Sequence, residues 1–361
     1  MYLPYESTRT LLLHIFAAYG FDAEKSEGIT DALLSADLCG IESHGIQRMI
    51  RYDDAIRRGM VDVNAVHEIV WETPLSAVID ARRAMGQTVS VAAMNLAIQK
   101  AQKCGIGLVG VRNSNHFGIA GDYARMASAQ GMIGVAMTNS EAIMVPTNSR
   151  RAMLGTNPIA LAAPADPVDF CFDAATTVVT RGKLEVYNKA EERTPDGWIL
   201  DADGEESTDP GQVIRNIIAR AGGGILPLGG ACEVTGGHKG YGFGMICELF
   251  TSVLSGGPPS YLSYQEPDTA DTSHYFMAID LAMFGPPDDI RTRLSSLLDD
   301  MRAATPAKEG LRVYVHGEKE VEFAKTVHRD GIPVNQKTVA ELREIAARLH
   351  IPSHEIPEVS E

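Results

Sequence analysis

The chain has 361 residues, 45% of them hydrophobic and 22% charged, and carries a formal net charge of −15. That size supports a large buried core in roughly two domains, and the acidic balance argues against a nucleic-acid groove or an anionic membrane surface. The five cysteines (Cys39, Cys104, Cys171, Cys232, Cys247) form no C-x-x-C pair, and no run approaches the roughly 18–20 apolar residues of a membrane span, so a cytoplasmic protein without a disulfide framework is expected.

Residues 7–19 show a helical apolar period that stops at Gly20, and residues 30–39 repeat it up to Gly40, a plausible C-terminal cap. The next stretch, Ser43-His44-Gly45-Ile46-Gln47-Arg48-Met49-Ile50-Arg51-Tyr52, is expected to open a third helix that runs to Arg58 and closes at Gly59. His44, Arg48 and Tyr52 would then share one stripe at i, i+4 and i+8, with Arg51 beside them. An arginine there can grip a carboxylate through paired charge-assisted contacts, and a histidine can move a proton. The competing reading is a solvated polar face. Residues 69–79 read as extended chain with a turn at Thr73-Pro74, and residues 89–103 as an amphipathic helix ending before Gly105.

Residues 106–138 follow the order strand, loop, helix, strand, which predicts a parallel strand pair with a right-handed crossover. Ligands collect at the carboxyl ends of such strands, so the loop Asn113-Ser114-Asn115-His116-Phe117-Gly118 is expected at a crevice. His116 there is either a proton-transfer group or an ordinary turn residue. Further strands are expected at 159–163, 170–173 and 275–280. Residues 193–210 carry turn chemistry and read as a surface excursion. Within it, Asp201-Ala202-Asp203-Gly204 lacks the alternating ligands of a calcium loop. Gly236-Gly237-His238-Lys239-Gly240 precedes a helical run, where amides and a lysine could hold a phosphate or merely form a solvated turn. Gly155-Thr156-Asn157-Pro158 and Asp173-Ala174-Ala175-Thr176-Thr177 lie at strand ends and either touch a ligand or terminate a strand. A last helix is expected over 336–349, followed by a loose acidic tail over 352–361.

No H-E-x-x-H, H-x-x-x-H or Cys/His pair accompanies these histidines, so no metal is expected, although a zinc-dependent hydrolase built from distant His44, His116 and His238 stays open. Gly105, Gly107 and Gly110 match the G-x-G-x-x-G spacing but lie along a strand after a helix, the reverse of the dinucleotide fingerprint's context. Neither a P-loop nor a G-x-S-x-G motif is present. The residues alone thus point to an α/β protein with an anion-handling site, either an enzyme or a metabolite-binding module.

Six segments taken in order resemble one family. They are Ser43-His44-Gly45-Ile46-x-Arg48, residues 113–118, residues 154–160, residues 173–183, Thr208-Asp209-Pro210, and Gly236-Gly237-His238-Lys239-Gly240-Tyr241-Gly242. The family is the malate/L-lactate dehydrogenase group that lacks the Rossmann fold and also includes ureidoglycolate, sulfolactate and diketogulonate oxidoreductases.

The resemblance implies an α/β protein with a non-Rossmann mixed-sheet nucleotide-binding domain (71–314) and a mainly helical second domain for substrate binding and dimerisation (1–70, joined by 315–361). It implies an oxidoreductase passing a hydride between NAD, with NADP not excluded, and C2 of a 2-hydroxy/2-oxo acid. Malate/oxaloacetate is favoured; ureidoglycolate, lactate and sulfolactate are the alternatives. It further implies a homodimer with the cofactor near the subunit boundary.

Carried over by residue, His44 and His116 compete for the acid/base role and Arg48 clamps the substrate carboxylate, with Ser43, Tyr52 and Thr156 lining its pocket. Expected cofactor contacts are His116, Gly118, Ser140, Asp173, Ala174, Ala175, Thr176, Arg181, His238, Lys239, Gly317 and Glu318. Three departures stand out: residues 146–153 lack a glycine pair common in the family, residues 228–235 lengthen the approach to His238 as in the malate branch, and His316 replaces a common proline.

Overall fold

The computed structural model describes residues 1–265 and 268–360. The chain opens with a short strand, β1 (Tyr2–Leu3), and two helices, α1 (Tyr5–Tyr19) and α2 (Ala23–Leu38). Helix α1 ends on Gly20 with φ 101°, the left-handed conformation glycine adopts without a Cβ penalty. Asp22 caps α2 by accepting the Lys25 amide.

The expected third helix starts late. Residues Glu42–His44 and Ile46–Arg48 form two 3-10 turns, and α3 spans only Met49–Arg57. The cause is Asp37 on α2, whose buried carboxyl oxygen takes the Ile46 amide at 2.9 Å. Gly45 is extended there, and a Cβ on it would come within 1.9 Å of Asp37 Oδ1.

Strands β2 (Glu68–Glu72) and β3 (Ser76–Asp80) lie either side of the turn expected at Thr73-Pro74 and pair as an antiparallel hairpin. Helix α4 (Gly86–Cys104) then crosses to β4 (Ile106–Ser114), which lies parallel to β3. Helix α5 (Ala120–Ser128) leads to β5 (Met132–Thr138), β6 (Ile159–Ala163) and β7 (Phe170–Ala174). The segments expected as a parallel pair, β4 and β5, do not touch through a ladder. A later strand, β11 (Thr272–Asp280), lies between them and pairs antiparallel with both. The parallel crossover sits one unit earlier, at β3-α4-β4. The described residues give the order β2-β3-β4-β11-β5-β6-β7, a seven-stranded mixed sheet.

Residues 181–225 build a separate small layer from α6 (Arg181–Lys189), β8 (Ile199–Leu200), β9 (Glu206–Ser207), α7 (Pro210–Ala219) and β10 (Gly224–Ile225). The turn-rich stretch expected as a surface excursion therefore has a buried middle, because Ile199 packs with Leu184, Val213, Ile217 and Ile225. Helix α8 (Gly237–Glu248) continues into a π-helical turn, Leu249–Val253. After β11 come α9 (Pro287–Arg302), α10 (Glu318–Asp330), β12 (Ile332–Pro333) and α11 (Gln336–Arg348). The tail is not loose: Tyr2 and Ser360 exchange backbone hydrogen bonds, and Ile356 and Val359 pack against the helical core.

Two large cores result. Val89, Met94, Phe117, Tyr123 and Phe276 fill the space between the sheet and α4/α5. Leu12, Phe16, Leu33, Tyr52, Val327 and Leu342 fill the helical core. Tyr52 belongs to the helical cluster and Phe117 to the sheet cluster, so the residues beside them meet at the boundary of the two.

Candidate active site

Four backbone devices bring that boundary together. The Asp37-pinned turn presents His44 and Arg48, and α3 presents Tyr52. The loop after β4 presents His116, held from below by His274 of β11. This buried ring stacks on Phe117 at 4.6 Å between centroids and contacts Thr138 and Ser114 at 2.7 and 2.8 Å. Asn115 anchors the same loop by donating to the carbonyls of Met60, Arg83 and Ala84.

The His44 and His116 rings lie 5.3 Å apart. His44 Nδ1 is 2.8 Å from Ser43 Oγ. His116 Nδ1 is 2.8 Å from the Tyr52 hydroxyl and accepts the Gly118 amide at 3.2 Å. Burial, with Arg48 and then Arg51 adding repulsion, pushes His44 down to about 3. Burial and Arg48 likewise hold His116 well below its ordinary value. Both rings are therefore neutral near pH 7. Tyr52 is pushed up to about 12 by burial. The Arg48 guanidinium stands among these groups with a buried Nε that has no hydrogen-bond partner among the described residues. A buried donor left open this way costs about 1–3 kcal/mol, a cost that an anion bound there would relieve.

A second group of predicted residues adjoins the first. Ser140 Oγ accepts the Thr156 amide at 3.1 Å, and Thr176 donates its amide and hydroxyl to the Thr156 carbonyl. An added Cβ on Gly155 would strike Ser140 Oγ at 2.3 Å, so the chain here is drawn in tightly. Arg181 pairs with Glu141 at 3.0 Å and Glu185 at 3.2 Å, and Arg51 pairs with the same Glu185 at 2.7 Å. These ion pairs tie α3 to α6. Asp173 accepts the Gly121 amide at 2.7 Å at the start of α5, and burial raises its pKa. Ala174 ends β7, and Ala175 follows it.

The remaining predicted residues stand apart from the histidine pair. His238 and Lys239 are exposed at the start of α8, where Gly236 is left-handed and a Cβ on Gly237 would strike the Gly230 carbonyl at 2.0 Å. Gly317, with φ 103°, abuts β7 at Asp169 and Cys171. Glu318 is buried and its carboxylate is taken up by Arg302, Arg312 and the Val315 amide. Sequence reasoning missed Gln87, which donates to the Tyr52 hydroxyl at 2.8 Å, as well as Asp37 and His274. Each acts by touching another polar group across the fold, a relation no local spacing reveals. Among the described residues no cluster of three or more His, Cys, Asp or Glu side chains is arranged to hold a metal, and no helix is long and apolar enough to cross a membrane.

Residues 3–343 match the family model described as malate/L-lactate dehydrogenase. The chain is 40% identical to a malate dehydrogenase from Pyrococcus abyssi over 355 residues, covering 98% of this chain and 96% of that one. It is 33% identical to an L-sulfolactate dehydrogenase from Methanocaldococcus jannaschii, covering 97% of each. The crystal structure of malate dehydrogenase from Entamoeba histolytica superposes with a TM-score of 0.94 at 30% identity, covering 98% of this chain and 99% of that one. The chain belongs to the malate/L-lactate dehydrogenase family and is a nicotinamide-dependent 2-hydroxyacid dehydrogenase.

Proposed function

We propose that this protein interconverts malate and oxaloacetate with NAD. The observation that carries the reading is Arg48: a half-buried guanidinium with an unpartnered Nε, set beside two neutral histidines. In this reading Arg48 clamps the C1 carboxylate of the 2-oxo acid, with Ser43, Tyr52 and Thr156 around it. His44 and His116 flank the C2 oxygen, and one of them supplies its proton. Substrate binding offsets the Arg48 charge that disfavours protonation of both rings. Similarity to the malate dehydrogenases supports the choice of substrate.

The nicotinamide cofactor supplies or accepts the hydride at C2. The residues present fit it. Lys239, exposed beside the first amides of α8, offers a place for a pyrophosphate. Ser140, Gly118, Asp173, Ala174, Ala175, Thr176, His238, Gly317 and Glu318 complete the proposed contacts. Arg181 is already engaged by Glu141 and Glu185, and Lys183 lies over the Tyr187 ring. The Arg181 ion pairs compete with a 2′-phosphate, which favours NAD over NADP.

The α8 segment also presents Phe243, Ile246, Leu249 and Val253 to solvent. So much exposed apolar surface on one helix marks a contact face, and we assign it to a second copy of the chain. A spectrophotometric screen of NADH and NADPH against oxaloacetate, pyruvate, sulfopyruvate and oxalurate tests the reading. Oxaloacetate with NADH is expected to give the highest kcat/KM, and a higher value for any other pair overturns it.

A further inference from the structure

A neutral imidazole can give up its Nε2 proton only if its other nitrogen gains one, because an imidazolate is far too basic to form near neutral pH. The surroundings of His116 meet that requirement. The Gly118 amide can only donate, and it points at Nδ1. Nδ1 is therefore an acceptor, and the neutral ring carries its proton on Nε2. Gln87 Nε2 in turn donates to the Tyr52 oxygen at 2.8 Å, which leaves the Tyr52 hydroxyl proton directed at Nδ1 across 2.8 Å. Gln87 is fully buried in the first turn of α4, and its Oε1 has no partner among the described residues.

We propose that Gln87, Tyr52 and His116 form a proton relay. As the hydride reaches C2, the Nε2 proton of His116 passes to the carbonyl oxygen and the Tyr52 hydroxyl proton passes to Nδ1. The transient phenolate is held by the Gln87 N–H and faces the Arg48 charge; once product has left, water delivers a proton to Nε2 and the Nδ1 proton returns to Tyr52, which restores the resting tautomer. In the oxidative direction each proton moves the other way. Gln87 touches no substrate and is a positioning residue. The other charged or titratable groups facing His116 are Arg48, Arg51, His44 and His274, and none of them hydrogen-bonds to Nδ1. The relay rests on His116 being the proton donor of the proposed reaction.

The test combines kinetics with 15N NMR of histidine-labelled protein. Gln87→Leu removes the donor to Tyr52 while keeping an apolar side chain of similar bulk. It is expected to lower kcat roughly tenfold with KM within about threefold, and to mix the two His116 tautomers. Gln87→Glu takes the Tyr52 proton for itself and is expected to move the His116 proton toward Nδ1. Tyr52→Phe is expected to lower kcat more, and Gln87→Leu added to it should change nothing further. If Gln87→Leu misfolds, the Tyr52→Phe spectrum still decides whether His116 has lost its Nδ1 donor. An unchanged tautomer in every variant overturns the relay, and a slow His116→Ala enzyme in that case leaves the proposed function standing. A shifted tautomer with wild-type kcat overturns the relay together with the assignment of His116 as donor.

Discussion

The imidazoles of His44 and His116 face each other at 5.3 Å with a tilt of 33°. One arrives on a 3-10 turn pinned by Asp37, and the other on the loop that follows β4. Neither ring is charged near neutral pH, because burial and Arg48 act on both. The pair can thus flank one substrate oxygen without repelling each other.

Replacing Arg48 by Ala is expected to raise the KM for the oxo acid on the order of 100-fold, the size of a lost charge-assisted contact. Arg48→Lys should recover little of it, since an ammonium cannot reproduce the two-pronged grip. Steady-state kinetics decide; a KM near wild type removes the clamp assignment.

Single alanine substitutions should separate the two histidines. The proton donor is expected to lose roughly 10²–10⁴-fold in kcat, and its neighbour much less. Equal and mild losses would contradict both assignments. The depressed pKa values also set an acid limit on stability. A group whose pKa is lower in the folded protein protects the fold above its unfolded value, about 6.5 for histidine. That protection is lost as pH falls toward about 3, the folded value for His44. His44→Gln should flatten the decline in urea midpoint over this interval.

Asp37 has the opposite sign. Burial pushes its carboxyl up to about 8, so its contribution is fully present below the usual carboxylate value near 4 and is lost as pH rises through 8. Asp37→Asn keeps an oxygen for the Ile46 amide. It should match wild type in thermal unfolding near pH 4 and exceed it at pH 9, with kcat largely retained. A variant that is less stable than wild type at pH 9 would show that the ionised carboxylate is needed.

Leu249 lies in the exposed apolar row that follows α8. Leu249→Asp is expected to halve the mass seen by light scattering at micromolar concentration, because a buried unpaired charge is not tolerated in such an interface. An unchanged dimer would place the contact elsewhere.

Much of this was legible in the sequence. The His44/Arg48/Tyr52 grouping survives although the helix expected to carry it begins only at Met49, since two 3-10 turns still bring the three side chains together. The position of β11 was not legible, because a strand that inserts between two others leaves no trace in their own periodicity. The acidic tail read as loose by composition, yet Ile356 and Val359 are enough to seat it. The burial of Glu318 was not legible either, because Arg302 and Arg312, which engage its carboxylate, are brought to it by the fold and not by local spacing.

The central place of β11 bears on how the chain reaches this state. Strands β4 and β5 are complete by residue 138, but each keeps an open edge until residues 272–280 arrive. During synthesis the ribosome must therefore deliver well over a hundred further residues before the middle of the sheet can close. The His116 loop cannot settle earlier, because His274, the ring beneath it, travels on that late strand. Such non-local pairing is slow and leaves strand edges exposed to other chains. The nascent protein is thus most vulnerable to aggregation just before the segment that also completes the candidate active site.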